Sequence, residues 1–172
     1  MAKTITIYAD GACEPINPCG AAAAAFVAVD DRKVLVRQEV EVLGVGRGMT
    51  NNFAELAAIA NALAWAAEEG YERIKVYSDS LLAVNLLNGR WRATPTAGYY
   101  PAYESALEIL IALREKDIKV TVEWVRRNST PYSVMADEMA FRAAKLAWDE
   151  FEKKKPELAK RFRRVGRPTG RS

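Results

Sequence analysis

The 172 residues predict an α/β domain built on a mixed five-stranded sheet flanked by helices, and three observations carry that expectation. Three successive segments near the N-terminus read as strands. An Ala-rich segment with apolar residues at helical spacing follows them. After it, short strand-like segments alternate with helical ones. Thr4-Ile5-Thr6-Ile7-Tyr8 alternates with period two. Gly20 to Val29 is an apolar Ala/Val run ending in Asp30-Asp31, and Val34 to Val42 alternates Val and Leu against charge. The loop from Asp10 to Gly20 and the turn at Asp30-Asp31-Arg32 are short enough to make these three an antiparallel meander. Asn52 to Glu69 places Phe53, Leu56, Ile59, Ala60 and Leu63 on one helical face and is closed by Gly70. Ile74-Lys75-Val76-Tyr77 is a short strand that a crossover lays parallel to one of the first three. Ser80 to Leu87 then reads as a short helix, Gly89 to Tyr99 as a loop, Ala102 to Lys116 as a helix, Lys119 to Val125 as the last strand and Ser133 to Glu152 as the last helix.

Composition narrows the chemistry before any motif is considered. Half the residues are apolar and 27% are charged, which excludes a disordered chain, and the longest apolar run, Ala21 to Val29, is far too short to cross a bilayer. No histidine occurs, so imidazole bases, Ser-His-Asp and Cys-His triads and histidine-containing zinc sites are all excluded. Any catalysis must use carboxylates. Cys13 and Cys19 are too few for a four-ligand zinc site; their spacing permits a local bridge, but reduced thiols and a cytoplasmic address are expected. The net charge of +3 hides an asymmetry. Residues 1–150, read as one domain, carry sixteen Lys and Arg against twenty Asp and Glu, whereas the tail 151–172 carries nine against two. That tail suits a polyanion such as nucleic acid, or it is a solvated, frayed terminus. Pro156, Gly166, Pro168 and Gly170 argue that at least its last stretch is not helical.

Three acids stand where neutral residues would be less costly. Asp10 ends the first strand, Asp79 ends the strand IKVYS, and Glu55 sits early in an apolar helix. Parallel neighbouring strands would bring Asp10 and Asp79 out side by side at the C-terminal edge of the sheet, where open α/β folds place ligands. Adjacent carboxylates invite a hard cation with oxygen ligands, such as Mg²⁺. Taken singly, Glu55 and Asp137 could merely favour helix N-termini, and Asp10-Gly11 could be turn chemistry.

Together the motifs resemble ribonuclease H of type 1. The resemblance rests on Tyr8-Ala9-Asp10-Gly11-Ala12 with Asn17-Pro18-Cys19-Gly20, on Thr50-Asn51-Asn52-Phe53-Ala54-Glu55-Leu56, on Tyr77-Ser78-Asp79-Ser80, and on Trp124-Val125 followed by Ala136-Asp137-Glu138-Met139-Ala140. It spans residues 4 to about 147 and implies the RNase H-like fold, with three antiparallel strands and then two parallel to the first. It also implies an endonuclease, expected to be monomeric, that hydrolyses the RNA strand of RNA·DNA hybrids to 5′-phosphate and 3′-hydroxyl ends. The cofactor implied is two Mg²⁺ ions, with Mn²⁺ as a substitute, held by Asp10, Glu55, Asp79 and Asp137. In family terms Asp10 bridges both ions, Asp137 helps hold the one that activates water, and Glu55 with Asp79 hold the one facing the leaving oxygen. Metal-bound water can replace a histidine base.

The substrate contacts implied are amides in the minor groove, where only RNA shows a 2′-hydroxyl: Asn51, Asn52 and, more loosely, Asn17. One of Asn51 and Asn52 could instead cap the helix that follows. Thr50 matches a phosphate contact to the DNA strand. Trp91, between Arg90 and Arg92, falls near an aromatic-basic patch, although a lone Trp could equally be core or rim.

The chain also departs from the family. The loop before the last helix reads Arg126-Arg127-Asn128-Ser129-Thr130-Pro131-Tyr132, with no histidine; Arg127 is closest in register but cannot take up a proton. General acid–base help is worth roughly 10² to 10⁴ in rate, so a slower enzyme is expected, with a loss near the low end. Ser133-Val134 replaces the usual amide, Leu81 replaces a groove-contacting glutamine, and residues 88–101 are too short for the family's basic handle. Two alternatives follow: a catalytically weak or silent nucleic-acid-binding module with the same fold, or a relative that also cuts duplex RNA.

Overall fold

In a computed structural model describing residues 2–171, the sheet has the order β4-β3-β1-β5-β6. The central strand β1 (Thr4–Glu14) pairs antiparallel with β3 (Ala21–Val29), which pairs antiparallel with the edge strand β4 (Leu35–Val45); a two-residue strand, β2 (Ile16–Asn17), lies between β1 and β3 in the chain. On its other side β1 pairs parallel with β5 (Arg73–Ser78), and β5 pairs parallel with β6 (Lys119–Trp124). The helices are α1 (Asn51–Glu68), α2 (Leu81–Leu87), α3 (Tyr100–Glu115) and α4 (Pro131–Lys154). This is the expected mixed sheet. No helix among the described residues is long and apolar enough to cross a membrane.

The Ala-rich β3 is buried along its whole length because helices cover both faces of the sheet, the condition under which a strand loses its polar alternation. Ala24, Phe26 and Ala28 join Ile5, Ile7 and Leu56 in one core under α1. Ala21, Ala23 and Ala25 face the other way, where Ala140 and Ala144 of α4 approach and the fully buried Trp148 fills the remaining space. Small residues on both surfaces let α4 lie close to the sheet.

Three expectations are corrected. First, β1 does not end at Asp10. It stays paired with β3 through Glu14↔Ala21, whereas its pairing with β5 stops at Tyr8↔Tyr77. Second, Pro156 opens a helix, α5 (Pro156–Val165): proline is tolerated at the first helical position, where its missing N–H would have no partner. Third, the basic tail is not frayed up to its last described residue. Residue 150 lies inside α4, Ala159 is fully buried, and Phe162 stacks on Phe151 at 5.8 Å. Beyond α5 the chain is indeed non-helical; β7 (Arg167–Pro168) pairs with β2. Cys13 and Cys19 are buried free thiols, so the local bridge that their spacing permits is not formed.

Candidate active site

Each acid is carried to one place by a different element. Asp10 lies on β1 two residues beyond the last β1–β5 pair, and Asp79 immediately follows β5, so the two emerge together where the parallel pairing opens. Gly11 makes room for the third. A Cβ there would stand 2.3 Å from the carbonyl carbon of Ala54, so only glycine lets α1 rest on the β1 backbone and bring Glu55 beside Asp10. Oxygens of Asp10, Glu55 and Asp79 lie within 4.8 Å of one another. Asp137 comes from α4, whose start is fixed by a capping box in which Thr130 and Ser133 exchange hydrogen bonds. Ser133, standing where the family has an amide, thus sets the helix that presents Asp137. Neither Glu55 nor Asp137 lies in a first helical turn, so the dull explanation for them falls.

Electrostatics divide the four. Burial, followed by the Asp79 charge, pushes the Asp10 carboxyl up to about 8 against the opposing hydrogen bond with Glu55. Glu55 is raised well above the usual carboxylate range, by burial first and then by the charges of Asp10 and Asp79; its Oε2 has no hydrogen-bond partner. Asp79 is also raised, by burial most, with Arg127 opposing. In Asp137 burial again works upward, but the hydrogen bond from Arg171, helped by Asp10 and by the charges of Arg171 and Arg127, holds the carboxyl below its usual value. Three crowded acids with an orphaned oxygen fit a hard divalent cation, which would supply the missing counter-charge.

These acids form the floor of a cleft of about 850 Å³, with Asn17, Asn51, Asn52, Leu81 and Arg127 among its lining. The structure therefore brings together the four carboxylates, the three amides and Arg127. Asn17 Oδ1 accepts from the Asn51 backbone N–H at 3.1 Å. Thr50, not Asn51 or Asn52, caps α1, its hydroxyl accepting from the Phe53 N–H at 3.0 Å; the capping alternative for the two asparagines is overturned. Thr50 itself is not among the cleft-lining residues. Trp91 stands apart, half-exposed in a second groove with Arg90, Arg92, Tyr100 and Tyr103. Glu14, Arg167, Thr169 and Arg171 also line the cleft, where sequence reasoning did not place them, the two arginines having been read only as part of a basic tail. Glu14 is buried although no apolar pattern marks it, and the last three belong to a tail whose path only the tertiary fold determines.

A family model described as RNase H matches residues 2–145. A ribonuclease H from Chlorobaculum parvum is 37% identical over 91 residues, a match that covers 53% of this chain and 56% of that relative; the chain thus spans little more than half the length of the curated relatives it matches. Among solved structures, the N-terminal RNase H domain of a Mycobacterium tuberculosis protein is 25% identical with a TM-score of 0.72, covering 87% of this chain and 99% of that one. The compost-derived LC11 RNase H1, solved in complex with an RNA/DNA hybrid, is 21% identical with a TM-score of 0.66, covering 83% and 98%, and shares the fold.

Proposed function

The chain belongs to the RNase H family, and on that premise we propose that it is a divalent-metal-dependent endonuclease hydrolysing the RNA strand of RNA·DNA hybrids to 5′-phosphate and 3′-hydroxyl ends. The observation that carries the reading is the convergence of Asp10, Glu55, Asp79 and Asp137 at the floor of a cleft walled by amides. An RNase H1 of this fold has been solved with an RNA/DNA hybrid, which supports the substrate class.

Two Mg²⁺ ions, or Mn²⁺ in their place, would when bound activate the attacking water and stabilise the entering and leaving oxygens. This chain's residues supply the rest. Asp10, Glu55, Asp79 and Asp137 would hold the ions, with Glu55 and Asp79 beside Asp10 on the α1 and β5 side and Asp137 on the α4 side. Asn17, Asn51 and Asn52 offer amides that can both donate to and accept from a 2′-hydroxyl, the group that distinguishes RNA from DNA in the minor groove. In this reading Thr50, Trp91 and its flanking arginines meet the DNA strand outside the cleft, and Arg127 meets phosphate at its edge. In this reading the protein acts as a monomer in the cytoplasm.

The test is cleavage of an end-labelled RNA·DNA hybrid beside duplex RNA, single-stranded RNA and duplex DNA, with Mg²⁺, Mn²⁺ or EDTA. Metal-dependent cutting confined to the hybrid is expected. Binding without cutting would point instead to a silent module, and cutting of duplex RNA to a broader nuclease.

Affinity not supplied by a basic handle is assigned to the tail, where Lys160, Arg161 and Arg164 are exposed on α5. Changing these three to Gln is expected to weaken hybrid binding and to flatten the dependence of log K on log salt by about one for each phosphate that is no longer neutralised. An unchanged slope would remove α5 from the interface.

A further inference from the structure

Past α5 the chain turns back to line the cleft. Gly166 passes so close beneath the loop between β2 and β3 that a Cβ there would stand 2.1 Å from the Pro18 carbonyl oxygen. From that point the segment is pinned along its length. Pro168 and Arg167 pair with Ile16 and Asn17, the Thr169 N–H donates to the Pro15 carbonyl at 3.0 Å, and the Thr169 hydroxyl donates to Glu14 Oε1 at 2.5 Å. Gly170 then adopts a φ of +77°, with nothing within 4 Å of where a Cβ would be. This delivers Arg171 to α4. Its guanidinium lies over the Phe141 ring, 4.1 Å from the centroid, and forks across Asp137, donating to Oδ1 at 3.0 Å and to Oδ2 at 2.5 Å.

A guanidinium in this geometry occupies both oxygens of the carboxylate at once and neutralises its charge. Arg127 adds a looser contact at 3.5 Å from a mostly exposed side chain. Among the described residues no ion pair reaches Asp10, Glu55 or Asp79. The four acids are therefore of two kinds: three make no ion pair, and one already does. A divalent cation ligated by Asp137 would have to share its two oxygens with the Arg171 fork and would meet like charge beside them.

We propose that Arg171 is a tethered cation that competes with the divalent metal for Asp137, so that the Asp10-Glu55-Asp79 position fills first and the Asp137-dependent position fills only as Arg171 swings away. Arg171 is a positioning residue in this scheme, because it acts on the reaction through Asp137. The strap from Arg167 to Thr169 need not detach. The open surroundings of Gly170 leave room for the movement at Gly170 and Arg171 alone, with Glu14 and Thr169 as the anchor. The inference rests on the reading of Asp137 as a metal ligand, and its test separates the two.

The experiment is equilibrium Mn²⁺ binding to the full chain, with free ion read by electron paramagnetic resonance, for the wild type, Arg171→Gln, Asp137→Asn and the double variant. Melting in EDTA confirms that each is folded. The wild type should bind one ion more tightly than a second. If Arg171 covers Asp137 about nine-tenths of the time, Arg171→Gln should tighten the second ion by about tenfold, because apparent affinity scales with the competent fraction. That gain should vanish in the double variant. Arg171→Lys, which keeps the charge and the stem but cannot fork, should show part of the gain and serves if the glutamine variant folds poorly. An Arg171→Gln isotherm equal to wild type, with Asp137→Asn weakening the second ion, would overturn the competition. So would a gain that survives in the double variant, which would reflect a general field. If Asp137→Asn changes nothing in either Arg171 background, the ligand assignment beneath the inference fails instead.

Discussion

Asp10→Asn is expected to abolish hybrid cleavage while making the metal-free protein more stable at neutral pH. Asp10 is the acid at the centre of the cluster, its ionisation influenced by Glu55, Asp79 and Asp137. Losing it removes several kcal/mol of transition-state charge stabilisation, and at about 1.4 kcal/mol per decade this is a loss of about 10³-fold or more. The stability gain comes from the same crowding. In the folded chain its carboxyl titrates at about 8, against an ordinary 3.8, chiefly because burial disfavours the charged form. Between those values the folded state holds a proton that the unfolded chain has released, so stability falls as pH rises through that window. The slope for one such proton is about 1.4 kcal/mol per pH unit, and Glu55, raised in the same direction, adds to it. Asparagine carries no proton to lose. Denaturant melts of the metal-free wild type from pH 4 to 8 should therefore show a decline that Asp10→Asn flattens and that Mg²⁺ or Mn²⁺ offsets by binding the folded state. A wild type whose stability is flat across this range, or a variant that still cleaves near the wild-type rate, would sink the assignment of Asp10.

Strand and helix periodicity made the strands and the main helices readable, because the strongest signals lay in elements whose burial is one- or two-sided along their whole length; which early strand the later ones join came from the family resemblance. The run from Ala21 to Val29 is the clearest case: nine buried residues announce a strand covered on both faces. The carboxylates were legible for a related reason. Asp10, Glu55 and Asp79 interrupt apolar surroundings; the first two are buried and the third half-buried, and a buried charge without a structural partner usually has a chemical one. What could not be read is the reach of β1 to Glu14, since that depends on β3 continuing to pair after β5 has stopped. The course of the tail was hidden as well. A string of Lys and Arg looks solvated, yet Ala159 and Phe162, spaced on one face of α5, are what dock it; Phe162 fills the space above Gly46, where a Cβ would come within 2.5 Å of its ring. Arg171 reaches Asp137 of α4 because α5 and the pairing of β7 with β2 carry the chain there, and no local pattern around residue 171 announces that.

Gly11→Ala should damage fold and catalysis together, by a route that the Asp10 variant does not take. The added methyl would stand 2.3 Å from the Ala54 carbonyl carbon and 2.4 Å from the Glu55 nitrogen, both backbone atoms of α1 that cannot rotate aside. Either β1 or α1 must shift. Overpacking of this kind costs about 1–3 kcal/mol, occasionally more. In a chain of this size each kcal/mol lowers the melting temperature by about 2–4 °C. The displacement falls on the one contact that sets the spacing between Asp10 and Glu55, so the loss of activity should exceed what the fraction unfolded explains. A misplacement of about 1 Å can cost about 10²-fold. The discriminating measurement is cleavage well below the variant's melting point, together with Mn²⁺ binding. Folded Gly11→Ala should bind the first ion more weakly, because its cage of Asp10, Glu55 and Asp79 has been opened. Activity and Mn²⁺ affinity equal to wild type in the folded variant would mean that α1 does not set the position of Glu55 through this contact.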